Sequence, residues 1–265
     1  MKARSFCKDM SAEPKGREEI IEYSNFASII TGEGEWLPAG FPLADGGFWQ
    51  YQEPNAVVII QDGFLRVAAV PYTRHHDTVQ ILDNAKHMYF SSRTFAAPPE
   101  GSITFSLDIA ATVVNGVPGD IYDGYVSVNV LDFTTGAALD FFVGNDTVAT
   151  VYGKLPFPGV PDVAPAHGPR YFCLFEEIRD ATAPGQLHHY DITYDAAADR
   201  VTYFIDGMLV RAYSNVPVKL GAMTLALGMM SEKDIDPVKG SVSCHGQGVI
   251  GKWGKIRIVR RSKQG

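Results

Sequence analysis

The chain has 265 residues, 46% of them hydrophobic and 20% charged, with a formal net charge of −7. That length suffices for one large β domain with a substantial core. The negative balance argues against a nucleic-acid surface, which needs a basic stripe, and the one basic stretch, residues 257–263, reads as a solubilising end.

No run approaches the ~20 apolar residues of a membrane span. Residues 1–10 lack the apolar core of a secretory signal, so a cytoplasmic protein is the simplest expectation. Cys7, Cys173 and Cys244 are too widely spaced for a metal-type pair and do not suggest a disulfide framework.

Residues 1–24 read as an N-terminal arm with a short helical candidate over residues 18–23, and residues 25–265 as a single β-sandwich domain. Residues 25–55 are rich in Gly, Pro and aromatics, including Trp36, Phe41, Trp49 and Tyr51, and are expected to cover the end of a sheet. Residues 56–60 and 64–70, joined by Gln61-Asp62-Gly63, predict a hairpin, because Asp-Gly tolerates the tight primed turn. Residues 71–101 are less regular and hold His75, His76 and, in an expected loop beside Lys86 and Tyr89, His87. A long strand is predicted over 102–114. Residues 125–131 alternate cleanly: Val126, Val128 and Val130 face a core, and Tyr125, Ser127 and Asn129 form a polar or ligand-facing surface.

Residues 137–153 read as two strands around the turn Gly144-Asn145-Asp146. Leu139, Phe141 and Val143 point to the core, and Ala138, Asp140 and Phe142 point the other way. A carboxylate between two apolar side chains is the oddest feature of the chain. Desolvation there disfavours the charged form and moves the pKa toward useful acid–base range. The alternative is a structural aspartate that accepts hydrogen bonds.

The Pro/Gly-rich loop 154–169 is expected to be a lid or rim, with His167 placed to close over a ligand. Further strands are predicted at 171–177, 186–194, 201–207, 208–213, 223–230 and 253–259. Glu176 and Glu177 fall on opposite faces of theirs. At least nine strand candidates with almost no helix predict an all-β, two-sheet antiparallel sandwich.

Residues 139–146, followed by 149–153, resemble the catalytic strand and following strand of glycoside hydrolase family 16, one of the concanavalin A-like jelly rolls. That family's strand reads E-x-D-x-E. Here the three positions are Ala138, Asp140 and Phe142: the aspartate is kept and both glutamates are replaced. The block from His188-His189 to Tyr203-Phe204-Ile205-Asp206-Gly207 resembles a fold signature of jelly-roll lectins and glucanases and carries no catalytic residue. The resemblance spans roughly residues 56–260 and implies a concanavalin A-like jelly roll. A retaining glycosidase needs two carboxyls about 5–5.5 Å apart. The signature strand offers one, so the family's hydrolysis is not expected.

Three readings follow. The first is a cofactor-independent enzyme of lyase, isomerase or cyclase type acting on a small apolar or aromatic molecule. In it Asp140 is the general acid or base, His87 or Tyr152 its partner, and Tyr125, Asn129, Phe142, Ala138, His167 and Glu177 contact the substrate. The second is a carbohydrate-binding protein or degenerate glycoside hydrolase. The third is a structural or interaction protein without a small ligand. No metal-ligand spacing, phosphate loop or dinucleotide fingerprint occurs, so neither metal nor cofactor is expected. No nucleic-acid or membrane partner is expected; pairing of a sandwich edge with a second copy stays open.

Overall fold

A computed structural model describes residues 16–27, 34–43, 45–75, 82–157, 160–165 and 168–262. Its strands, in chain order, are β1 (Arg17–Ser24), β2 (Trp36–Pro38), β3 (Gly40–Pro42), β4 (Phe48–Gln50), β5 (Val57–Gln61), β6 (Phe64–Ala69), β7 (Asp83–Phe95), β8 (Gly101–Val114) and β9 (Tyr125–Asp132). The second half holds β10 (Ala137–Val143), β11 (Thr147–Lys154), β12 (Phe172–Arg179), β13 (His188–Asp195), β14 (Arg200–Ile205), β15 (Met208–Ser214), β16 (Met223–Lys233), β17 (Gly248–Trp253) and β18 (Ile256–Ser262).

Two large antiparallel sheets form a jelly-roll sandwich. The seven-stranded sheet runs β12-β11-β10-β9-β16-β7-β2. The nine-stranded sheet runs β15-β14-β13-β8-β17-β6-β5, with β18 also pairing β8 and β1 pairing β18. β3 and β4 pair only with each other. Strand alternation builds the core between the sheets. Ile103, Phe105, Leu107, Tyr190 and Ile192 from one sheet meet Val126, Val128, Leu139 and Phe141 from the other, all fully buried.

Local signals set the hairpins. Asp62 (φ 54°) and Gly63 (φ 75°) both adopt left-handed backbone, as do Asp206 (φ 50°) and Gly207 (φ 77°), the primed turns that match strand twist. Between β10 and β11, the Gly144 amide donates to the Thr147 carbonyl at 2.9 Å. Asn145 locks this turn onto β8, accepting from the Val113 amide (2.8 Å) and donating to its carbonyl (2.9 Å).

Every residue of β9, β10 and β11 is buried, so the outer face of the seven-stranded sheet is covered as well. A second apolar layer sits there, built from Tyr125, Phe142, Val151, Ala226 and Met230 and flanked by the half-buried Phe41, Trp49, Phe133, Phe157 and Phe175. The face read from sequence as a polar surface at Tyr125, Ser127 and Asn129 is therefore a covered one. The 25–55 segment covers this face through Phe41, Trp49 and Tyr51 rather than capping a sheet end.

Three further expectations change. The helical candidate at 18–23 lies inside strand β1, whose Glu18, Glu19 and Glu22 ion-pair with Arg261, Arg260 and Arg257 of β18 at 2.7, 2.9 and 3.2 Å. A six-residue helix is marginal alone, whereas the basic strand offers a full ladder of backbone bonds. The region read as less regular contains β7, a 13-residue strand with a bulge against β16 between Thr224 and Ala226. The closing strand expected over 253–259 is split at Gly254, whose amide donates to the Asp108 carbonyl at 2.8 Å.

Candidate active site

Asp140 stands on β10 directly opposite Asn129 of β9 and Val151 of β11. Its side chain turns to the outer face of the seven-stranded sheet, and the residue is 4% exposed. Oδ1 has no hydrogen-bond partner among the described residues. Burial pushes its carboxyl well above the ordinary carboxylate range; Glu232 pushes the same way and Lys86 opposes both.

Those two charges come from neighbouring strands. Lys86 on β7 pairs with Met230, and Glu232 lies two residues beyond Met230 on β16. Alternation from Ala226 and Met230, both in the outer layer, puts Glu232 on the same face. Burial holds the Lys86 ammonium below the usual lysine range against the pull of Glu232 and Asp140, and its Nζ sits 5.3 Å from the Tyr51 ring centroid. Tyr125 stacks on Phe142 at 4.1 Å with 18° between the rings. Burial, then Glu232, lifts its hydroxyl well above the phenol range. Glu232 is close enough to act on that hydroxyl, yet no group among the described residues meets it in normal hydrogen-bond geometry.

Beside this cluster, Asn129 Nδ2 donates to Ser127 Oγ (2.9 Å), and Ser127 Oγ donates to the Gly228 carbonyl (3.4 Å). A Cβ on Gly228 would come within 2.9 Å of Ser127 Oγ, so the absent side chain makes room for this chain of bonds. Aromatic rings surround the polar centre. Phe133 packs edge-on against Phe90 (5.4 Å) and contacts Phe157 (5.3 Å), while Tyr122 stacks on Phe175 (4.8 Å). The Arg74 guanidinium lies 4.1 Å over Trp49 on the β3–β4 hairpin.

The structure brings together five of the residues picked from sequence: Ala138, Asp140, Phe142, Tyr125 and Asn129. Glu177 joins their face at its edge, opposite Ala149, with its carboxylate 3.2 Å from Arg179. His87 and Tyr152 do not join, which corrects their assignment as partners of Asp140. His87 is in a strand rather than a loop, and alternation turns it away from Lys86 into the space between the sheets. There Nδ1 accepts from the Glu53 amide (3.1 Å) and Nε2 meets Tyr89 Oη (2.9 Å). Burial drives its pKa down to about 4, so it stays neutral at pH 7. Tyr152 is one residue past Val151, so it too faces inward, against Phe172 and Tyr213, with burial lifting its pKa to about 12. His188 and His189 belong to β13 of the other sheet. His167 lies outside the described residues. Of the loop 154–169, Leu155 and Phe157 pack onto the outer layer.

Lys86 and Glu232 were not picked from sequence. Alternation signalled both: Lys86 is out of phase with His87, and Glu232 continues the 226/228/230 phase past the predicted end of its strand.

Comparison with known proteins gives one family and one fold. A family described as "Family of unknown function (DUF6081)" matches residues 23–262. No curated protein matches. Among solved structures, the catalytic domain of an endo-1,3-β-glucanase (laminarinase) from Thermotoga petrophila RKU-1 superposes with a TM-score of 0.57 at 12% identity, covering 93% of this chain and 99% of that one. The Bacillus licheniformis β-glucanase gives 0.53 at 12% identity, covering 94% and 99%. An endo-β-1,4-glucuronan lyase from Trichoderma reesei gives 0.52 at 10% identity, covering 79% and 89%. At such identities the likeness shows the fold alone, the concanavalin A-like jelly roll of glucanases and lectins.

Proposed function

We propose that this chain, which belongs to the DUF6081 family, is a cofactor-independent acid–base enzyme of lyase, isomerase or cyclase type that acts on a small apolar or aromatic molecule. The carrying observation is the Asp140 carboxyl: buried within an aromatic surround, raised in pKa, and with an oxygen that bonds to nothing among the described residues. A carboxyl whose acid form is favoured by burial is a hydrogen-bond donor and a general acid, a role that apolar burial creates in other enzymes. Tyr125 supplies a second donor on the same face.

In this reading Asp140 gives its proton to a substrate oxygen while Glu232 takes the proton released from the adjacent carbon. Lys86 stabilises the negative charge that develops between them. The aromatic rim excludes water and stacks on the substrate.

The test is hydrogen exchange α to a carbonyl. A panel of aromatic and alicyclic ketones is incubated with the protein in D₂O, and deuterium uptake is followed by mass spectrometry. The wild type is expected to catalyse exchange of at least one ketone, and Asp140→Asn to lose it by about 10²-fold or more, the usual scale of general acid–base catalysis. Equal exchange by folded Asp140→Asn removes Asp140 from the mechanism. No exchange with any ketone, together with glycan binding at the Trp49 and Phe175 face, replaces the enzyme with the carbohydrate-binding reading, which the half-buried rim aromatics favour.

A further inference from the structure

A polar groove of about 720 Å³ runs across the other side of the sandwich, on the outer face of the nine-stranded sheet. Alternation makes its floor. While Phe105, Leu107, Tyr190 and Ile192 turn into the core, Thr104, Ser106 and Asp108 of β8 and His189, Asp191 and Thr193 of β13 turn out. Longer side chains wall it, Arg257 and Arg261 of β18 on one flank and Arg200 and Phe204 of β14 on the other. The strand order β14-β13-β8-β18 sets these walls three strand spacings apart, about 14 Å. That leaves room for one extended chain over a floor of short side chains.

The charges of the groove are largely matched, with Arg200 set opposite Asp195 in the β13–β14 register. His189 Nδ1 lies 2.7 Å from Asp108 Oδ1 and Nε2 lies 3.4 Å from Asp191 Oδ1. Hydrogen bonds to these two aspartates, Asp191 first, raise its pKa to about 9 and keep it an imidazolium. Ser106 Oγ donates to Asp191 rather than to His189, so the three do not form a nucleophile–base pair. Arg257 and Lys255 pair with Glu22 at 3.2 and 2.7 Å, and Arg261 with Glu18 at 2.7 Å. Among the described residues, Oδ2 of Asp108 and of Asp191 receives no hydrogen bond. An anion entering the groove meets Asp108, Asp191 and Asp195; a cation meets His189 and the arginines. A peptide strand finds no free backbone edge, because β8 and β13 are paired on both sides. An uncharged ligand rich in hydroxyl donors matches what is left.

We propose that this groove binds a neutral oligosaccharide, whose hydroxyls donate to the Asp108 and Asp191 carboxylates and whose ring faces lie on Phe204. The site is independent of the chemistry proposed at Asp140 and faces the opposite way.

The probes are maltohexaose, cellohexaose, laminarihexaose and xylohexaose, titrated one at a time into ¹⁵N-labelled full-length protein. At least one is expected to shift amide resonances of 102–108 and 189–195 with a dissociation constant below about 1 mM. Thr193→Arg, which fills the floor, is expected to weaken that binding about tenfold or more. Asp191→Asn serves if Thr193→Arg does not fold by circular dichroism. Failure of all four sugars to shift these resonances overturns the proposal. So do shifts confined to β9, β10 and β11, and so does binding unchanged in a folded groove variant.

Discussion

Asp140 and Asn129 face each other across β10 and β9 without a hydrogen bond: Asn129 Nδ2 turns to Ser127 Oγ at 2.9 Å, and Asp140 Oδ1 is left with no partner among the described residues. Asparagine offers two donors that suit a carboxylate. With neither donor on Asp140, only Lys86 supports its charged form, against burial and Glu232, which both favour the acid. An unsatisfied buried polar group costs about 1–3 kcal/mol, and such costs concentrate where function requires them.

That cost depends on pH. The folded pKa of Asp140 is raised above its unfolded value, so its contribution to stability is full below about pH 4 and is lost as pH rises toward the folded pKa. For every pH unit by which the folded pKa exceeds the unfolded one, about 1.4 kcal/mol is lost. Asp140→Asn abolishes the loss, so the variant is expected to gain stability over the wild type between about pH 4 and pH 7. Urea midpoints at several pH values check this; a difference between the two proteins that does not change with pH refutes it.

His87 behaves in the opposite sense. Its folded pKa, about 4, lies below the unfolded 6.5, so stability is present above pH 6.5 and falls as the pH drops through that window. The wild type should lose up to about 3 kcal/mol of stability between pH 6.5 and 4 through this one residue. His87→Gln is expected to be less stable at pH 7, because the bond from the Glu53 amide is weakened, and to lack this acid-side slope. An NMR titration of the imidazole that gave a midpoint near 6.5 would contradict the assignment.

Phe142 lies two residues from Asp140 on the same covered face of β10. Phe142→Ala removes the 4.1 Å stack on Tyr125 and opens the outer layer above the carboxyl. The expected cost is about 3–5 kcal/mol of stability. In whatever fraction stays folded, the Asp140 pKa should move down toward the ordinary range, read by ¹³C NMR of the side-chain carboxyl. An unchanged pKa in the folded variant means that other groups desolvate Asp140.

The two sheets are also tied by a polar contact. Tyr203 Oη on β14 donates to the Val151 carbonyl on β11 at 2.5 Å, from a fully buried ring. Tyr203→Phe keeps the ring and removes the donor, with an expected cost of about 1 kcal/mol. That lowers the melting temperature by about 2–4 °C in a chain of this size. No change in a calorimetric scan would show that water replaces the bond at no cost.

What the sequence determined is the local part. Pleat has a period of two, so the phase of Val126, Val128 and Val130, and of Ala138, Asp140 and Phe142, assigned side chains to faces from adjacent residues alone. Turn residues such as Asp62-Gly63 and Asp206-Gly207 carry their own backbone preference and marked the hairpins. The all-β class and the oddity of Asp140 followed from those patterns. Tertiary structure decided which face is wet and which strands are neighbours. The cover over Tyr125, Asn129 and Asp140 comes from Phe41, Trp49, Tyr51, Leu155 and Phe157, on other segments of the chain, so the same alternation that signals a polar or ligand-facing surface lies here beneath a second apolar layer. Tyr152 adjoins Val151, the β11 partner of Asp140, yet points to the wrong face, and His87 sits three strands away and also faces inward, while Lys86 and Glu232 reach Asp140 from β7 and β16. Residues 18–23 become a strand because Arg257, Arg260 and Arg261 wait at the far end of the chain. Burial and electric field are sums over such distant partners, and no local window of the sequence contains them.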